Sequence, residues 1–228
     1  MTSGPSNERR DFIKSVATGA AALSLAMIAP PIRLSAAPVE NDPGDADAWF
    51  NKVKGKHRMA FDVAEPDGIF PFAMPKVFLL TNAGTGTPAA DTGVVVILRH
   101  NAVPLALENR LWEKYQLGDA FKVDDPKTKA PAVRNIFWQP GPEDFVLPGI
   151  GAVQIGVNDL QADGVMICVC NVALTNKSAV AAKKMNLDPK EVYKEWTAGL
   201  LPAIQIVPSG VWAVGRAQEH GCAYCYIG

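Results

Sequence analysis

Apolar and polar positions along this chain change rhythm repeatedly between a strand pattern and a helix pattern. In "HRMAFDVA" (57–64), Met59, Phe61 and Val63 alternate with their neighbours, which predicts a first strand. "FAMPKVFLLTNAG" (72–84) predicts a helix, with Pro75 confined to its first turn because proline has no N–H to donate. "TGVVVILRH" (92–100) is a continuous β-branched run, the pattern of a strand buried on both faces. Pro104 opens "LALENRLWEKYQLG" (105–118), where Leu107, Leu111 and Tyr115 recur at helical spacing and Gly118 is read as the stop. A glycine-interrupted helix follows over 153–163, then a buried strand in "GVMICVCNVA" (164–173). Two helices come next. "TNKSAVAAKKMN" (175–186) has Thr175 as its cap, and "DPKEVYKEWTAG" (188–199) has Asp188, Pro189 and Glu191 at N-cap, N1 and N3. "AIQIVP" (203–208) reads as a strand, "SGVWAVGRAQEHG" (209–221) as a helix capped by Ser209, and "CAYCYI" (222–227) as a last strand. Strands alternating with helices, with two strands apolar throughout, imply an α/β fold: a parallel sheet covered by helices on both faces.

Two stretches fall outside that rhythm. Residues 119–150 carry five prolines, a charged half "KVDDPKTKAP" and an aromatic half "RNIFWQPGPEDF". Such a loop inside a compact domain is expected to cover a site or reach a neighbouring copy, with a plain insertion as the alternative. At the N-terminus, Arg9 and Arg10 precede a weakly apolar run from Val16 to Ile28 and the small-residue stretch "LSAAP". That is the pattern of a twin-arginine export signal, with an uncleaved anchor or basic tail as the alternative. The expected organisation is a signal over 1–37, a tether and short helix over 38–55 with Asp45 as cap, and one domain over 56–228 interrupted at 119–150. Export places the protein in the periplasm or cell envelope and makes the twin-arginine translocation machinery a partner. Loss of residues 1–37 changes the net charge from −1 to −3. No basic stripe remains, which argues against nucleic acid.

All four cysteines lie in the last 61 residues, as Cys168-x-Cys170 and Cys222-x-x-Cys225. A zinc site is disfavoured, because both pairs fall in predicted strands rather than in loops that could converge on a metal. Strand alternation sends Cys222 and Cys225 to opposite faces. Cys168 and Cys170 share a face but stand about 6.5 Å apart with parallel side chains, a poor disulfide geometry. Cys170 differs from the others. It falls where a strand ends and a loop leads to a helix, and ligands of open parallel sheets bind outside the carboxyl ends of the strands. A thiol facing free N–H groups there is favoured as a nucleophile, with an inert buried cysteine as the alternative. His100 and Asn101 follow the second strand, and Ser209 and Gly210 follow the fourth at a helix start. His100 is placed to move a proton, and the Ser209–Gly210 turn to bind an anion, with a satisfied polar residue and a plain helix cap as the respective alternatives.

"GVMICVCNVAL" followed by "IQIVPSGVWAVGRAQEHGCAYCYI" resembles the DsrE/DsrF-like family of sulfur-relay proteins, and "HRMAFDV" and "VVVILRHNAV" are similar to its first two strands. The resemblance covers residues 56–118 and 150–228. It implies a three-layer α/β/α sandwich around a mostly parallel five-stranded sheet, in a flavodoxin-like arrangement, assembled as a trimer or hexamer. It also implies that Cys170 carries sulfur as a persulfide. The expected site therefore has Cys170 and His100 as catalytic groups and Asn101, Asn171, Ser209 and Gly210 as ligand-binding groups. Cys168 is the expected resolving thiol, with no metal and no cofactor. The expected partner is a small sulfur-containing anion or a protein sulfur donor. The alternatives are a non-catalytic oligomeric scaffold of the envelope, with Trp138 and Phe145 in an assembly arm, and a metal-binding envelope protein.

Overall fold

Five strands form one sheet, and every pairing in it is parallel. They are β1 (His57–Val63), β2 (Thr92–Leu98), β5 (Met166–Cys170), β6 (Ile204–Val207) and β7 (Ala223–Ile227), in the order β6-β5-β2-β1-β7. A computed structural model describes residues 43–228, so the signal read over 1–37 and the start of the tether lie outside the described residues. The described residues belong to a single unit, Ala36–Gly228. No helix among them is long and apolar enough to cross a membrane.

The strand order explains how the layers form. The connections from β1 to β2, β2 to β5 and β5 to β6 all step in one direction, while the connection from β6 to β7 returns across the sheet. Parallel crossovers are right-handed, so the first three must lie on one face and the last on the other. The cores agree. The larger one joins Val94, Val96, Leu98, Ile167 and Val169 of the sheet to α2 (Phe70–Gly84), α5 (Val157–Ala162), α6 (Asn171–Met185) and α7 (Pro189–Ala198). The smaller one joins Ala60, Val95, Ile97 and Val207 to α1 (Pro43–Phe50) and α8 (Gly210–Glu219). The α/β/α sandwich is thus as expected. Counting only the five sheet strands in chain order, their sequence across the sheet is 4-3-2-1-5, whereas flavodoxin itself has 2-1-3-4-5.

Several element boundaries differ from the sequence pattern for local reasons. α1 begins by Pro43, upstream of Asp45. α2 starts at Phe70, which puts Pro75 in its second turn, where the missing N–H removes one ladder bond. The stretch 105–118 breaks in two, α3 (Asn109–Tyr115) and α4 (Leu117–Phe121), because Gln116 turns left-handed at φ 50°. Gly118 is not a stop: it lies inside α4, where a Cβ would collide with the Ala132 backbone. α5 is shorter than the expected 153–163 helix. Gly156 precedes it and donates to Asp159 Oδ2 at 3.1 Å, while Gly151–Ala152 (β4) pair antiparallel with Val146–Leu147 (β3).

The 119–150 insertion is built into the protein's own core. Phe137 is fully buried between Phe72, with ring centres 4.8 Å apart, and Phe145, stacked at 5.1 Å. Phe145, expected in an assembly arm, is therefore buried within its own chain, and Trp138 packs partly buried against the same core. Buried Asn135 donates to the Leu105 and Leu107 carbonyls at 2.9 and 2.8 Å, tying the insertion to the segment after β2. Arg134 bridges Asp125 at 2.8 Å and Asp144 at 2.9 Å, and Lys127 reaches Asp144 at 2.5 Å.

That network is acid-sensitive. Burial alone would raise the Asp144 carboxyl, but Lys127, the Gly141 N–H and Arg134 outweigh it and hold it down at about 2. A folded-state value below the unfolded one stabilises the fold above the unfolded value and loses that stabilisation as the pH falls. The contribution is about 2 kcal/mol near neutrality and disappears between roughly pH 4 and pH 2. Urea unfolding of the native protein and of Asp144→Asn is expected to differ most above pH 5, with the gap closing by about pH 2. A pH-independent gap would contradict this.

Candidate functional site

The loops after β5 and β6 leave the sheet on opposite sides, since β5 connects across the larger-core face and β6 across the other. A crevice opens where neighbouring strands diverge in this way, and open parallel sheets bind ligands there. Cys170 pairs with Val207 in the parallel register, so the "CN" and "PSG" turns stand side by side at its mouth.

Cys170 ends β5 and is also the N-cap of α6. Its Sγ accepts the Ala173 N–H at 3.3 Å, and the residue is 6% exposed. α6 therefore begins at Asn171, four residues before the expected Thr175 cap, and the Thr175 hydroxyl instead donates to the Asn171 carbonyl at 2.9 Å. Val172, Ala173 and Leu174 continue the apolar run of the strand, so periodicity alone could not place this change of structure. The functional consequence is that the sulfur sits on the positive end of a 15-residue helix, against one of its otherwise unpaired N–H groups.

After the neighbouring strand, Ser209 caps α8 by accepting the Trp212 N–H at 3.2 Å. That leaves the N–H groups of Gly210 and Val211, at the helix start, without intrahelical acceptors. Asn171 is buried, and its Oδ1 accepts the Tyr193 hydroxyl at 2.6 Å, linking α6 to α7. Cys170, Asn171, Ser209 and Gly210 are thus gathered at adjoining strand ends. His100 and Asn101 follow β2 at the same edge, but their side chains both engage Glu65. His100 Nδ1 lies 2.9 Å from Glu65 Oε1, and the Asn101 amide donates to both carboxylate oxygens at 3.0 and 2.8 Å.

Cys168 does not share a core with Cys170. It packs with Val95 and Ile97 in the smaller cluster, whereas Cys170 packs in the larger. It is fully buried, and burial, reinforced by Cys170, pushes its thiol far above the ordinary range. That opposes the thiolate a resolving cysteine needs. All four cysteines are free thiols, and no group of His, Cys, Asp and Glu among the described residues is arranged to hold a metal.

Sequence reasoning missed a second polar cluster at this edge. Asp62 of β1, 3% exposed, accepts from Arg99 Nε at 2.6 Å, from Arg99 Nη2 at 2.9 Å and from the Tyr224 hydroxyl at 2.9 Å. The signal was present as an aspartate set between Phe61 and Val63 in the apolar half of a strand, a placement that costs energy unless paired.

No protein-family model matches this chain, and no curated protein matches it. Among solved structures it is similar to the protein of unknown function MTH1491 from Methanobacterium thermoautotrophicum. The identity is 16%, the match covers 75% of this chain and 99% of that one, and the TM-score is 0.39.

Proposed function

We propose that this chain is an exported protein of the DsrE type that binds or carries a small sulfur species, with Cys170 as the thiol that accepts it. The observation behind this reading is the position of Cys170: its sulfur caps α6 where β5 and β6 diverge, one strand away from the turn that starts a second helix. The resemblance of the "ICVCNVAL" and "VPSGVWAVG" segments to sulfur-relay proteins supports the same assignment. With thiosulfate as donor, the Cys170 thiolate attacks the outer sulfur. A new S–S bond forms at Cys170, the donor's S–S bond breaks, and sulfite leaves with that electron pair. The N–H groups in the first turn of α6, beside the sulfur and without intrahelical acceptors, hold the departing oxyanion. His100, paired with Glu65, is not required for this step. A homo-oligomer, trimeric or hexameric, belongs to the same reading.

Intact mass before and after exposure to polysulfide or thiosulfate tests it. A reductant-labile gain of about 32 Da, one sulfur, mapped to Cys170 and absent from Cys170→Ala, is expected. No gain, or a gain elsewhere, overturns it. A non-catalytic scaffold is favoured by one feature, the exposed stripe of Phe70, Met74, Val77 and Leu80 along α2, and it predicts no sulfur gain.

A further inference from the structure

We propose that Arg99, on the α8 side of the sheet, forms a separate binding site for a small oxyanion, a carboxylate or a sulfur oxyanion. The site does not use Cys170. A cavity of about 440 Å³, open to solvent, is lined by Asp62, Arg99, Val211, Val214, Gln218 and Tyr224. Its polar centre is built from three strands: Asp62 from β1, Arg99 immediately after β2, and Tyr224 from β7. Asp62 takes two of the five guanidinium N–H groups and is itself further held by the Tyr224 hydroxyl. The remaining three N–H groups have no protein acceptor among the described residues. The aromatic face of Tyr226 lies 5.9 Å from the guanidinium carbon. Gly210 packs against the stem of Arg99, where a Cβ would come within 2.6 Å of the arginine Cβ. The side chain is thus fixed at both ends while its fork stays partly exposed.

The chemistry of the occupant follows from charge and shape. The pair of Arg99 and Asp62 is neutral, and α8 runs along the cavity wall from Val211 in its first turn to Gln218 in its last, so both ends of the helix border the site. The three N–H groups of Arg99 left without a protein acceptor among the described residues favour an anion over a cation. A guanidinium fork already oriented by a buried carboxylate presents parallel donors, the arrangement that recognises two oxygens of one group. Val211 and Val214 leave room for a short apolar substituent. A buried ion pair is weak evidence for stability by itself, so an arginine with donors left over at a cavity wall fits ligand recognition better than a role in holding the fold.

Titration calorimetry with sulfite and with butyrate tests this, since neither carries a transferable sulfur that would engage Cys170. At least one is expected to bind with a Kd of about 1 mM. Preference for sulfite assigns the site to inorganic sulfur anions, and preference for butyrate to organic acids. Arg99→Lys keeps the charge but loses the fork, and is expected to weaken binding about tenfold. Val211→Glu puts a carboxylate at the exposed rim without touching the core. It is expected to weaken binding by about tenfold, whereas Val211→Gln changes it less than about threefold. Should Arg99→Lys fail to fold, the Val211 pair decides. Absence of binding by either anion up to about 50 mM, or binding that Val211→Glu leaves unchanged, overturns the proposal. Binding that Val211→Glu weakens and Cys170→Ala leaves intact belongs to this site, so its failure is distinct from failure of sulfur uptake at Cys170.

Discussion

Phe137→Ala is expected to lower the unfolding free energy by about 4 kcal/mol, although the residue lies in a proline-rich stretch outside the strand–helix rhythm. The ring is fully buried and contacts two others, Phe72 from α2 and Phe145 from the same insertion. Removing it takes away the transfer energy of a phenyl group and opens a cavity whose walls are held on several sides. One wall belongs to a helix already docked on the sheet. The others belong to a loop pinned by Asn135 and by the ion pairs of Arg134. Poor relaxation places the cost toward the upper part of the range for buried aromatics. Trp138→Ala is the comparison, since that residue only packs partly buried against the core and should cost clearly less. Urea denaturation of both variants checks the point. A loss below about 1 kcal/mol for Phe137→Ala would show that the insertion is a detachable arm.

Periodicity located every strand of the sheet, β1 by its alternation and β2 by a β-branched run that has few other solutions. The run over Val94–Leu98 is buried on both faces, as its lack of alternation implied. The layer plan followed from alternation of elements, but strand order did not. The handedness rule says on which face a crossover lies only once its direction is known, and direction is decided by packing between elements distant in sequence. The same limit hid the start of α6. Strand and helix share one apolar run there, and the boundary is set by a sulfur accepting a backbone N–H. Cys170 could be chosen from the sequence because it lies at a strand end. The engagement of His100 and Asn101 with Glu65 could not, since Glu65 lies 35 residues upstream and no local pattern links them. The choice between an arm and a plain insertion was left open for a related reason: aromatic residues in a loop give no sign of whether they face a neighbour or, as Phe145 does, their own core.

In the native protein, Cys170 is expected to react with iodoacetamide about tenfold faster than Cys222. This pair isolates chemistry from access, because each residue is 6% exposed. Their surroundings differ. Burial pushes the Cys222 thiol up, with Arg58 opposing it only in part. Cys170 has the Ala173 N–H on its sulfur and the start of α6 behind it. Alkylation passes through a state with negative charge on sulfur. A helix end plus one hydrogen bond stabilises such charge by about 1–2 kcal/mol, roughly five- to thirtyfold in rate. Cys225 is the accessibility control, being the most exposed of the four, and Cys168 should stay unmodified until the protein unfolds. Time-resolved peptide mapping separates the sites. Cys170 keeping pace with Cys225 despite its burial would mean that the helix end makes this thiol a nucleophile, as sulfur uptake requires. If Cys170 instead lagged with Cys222 while Cys225 alone reacted, access would be the whole explanation, and the cap on α6 would be structural.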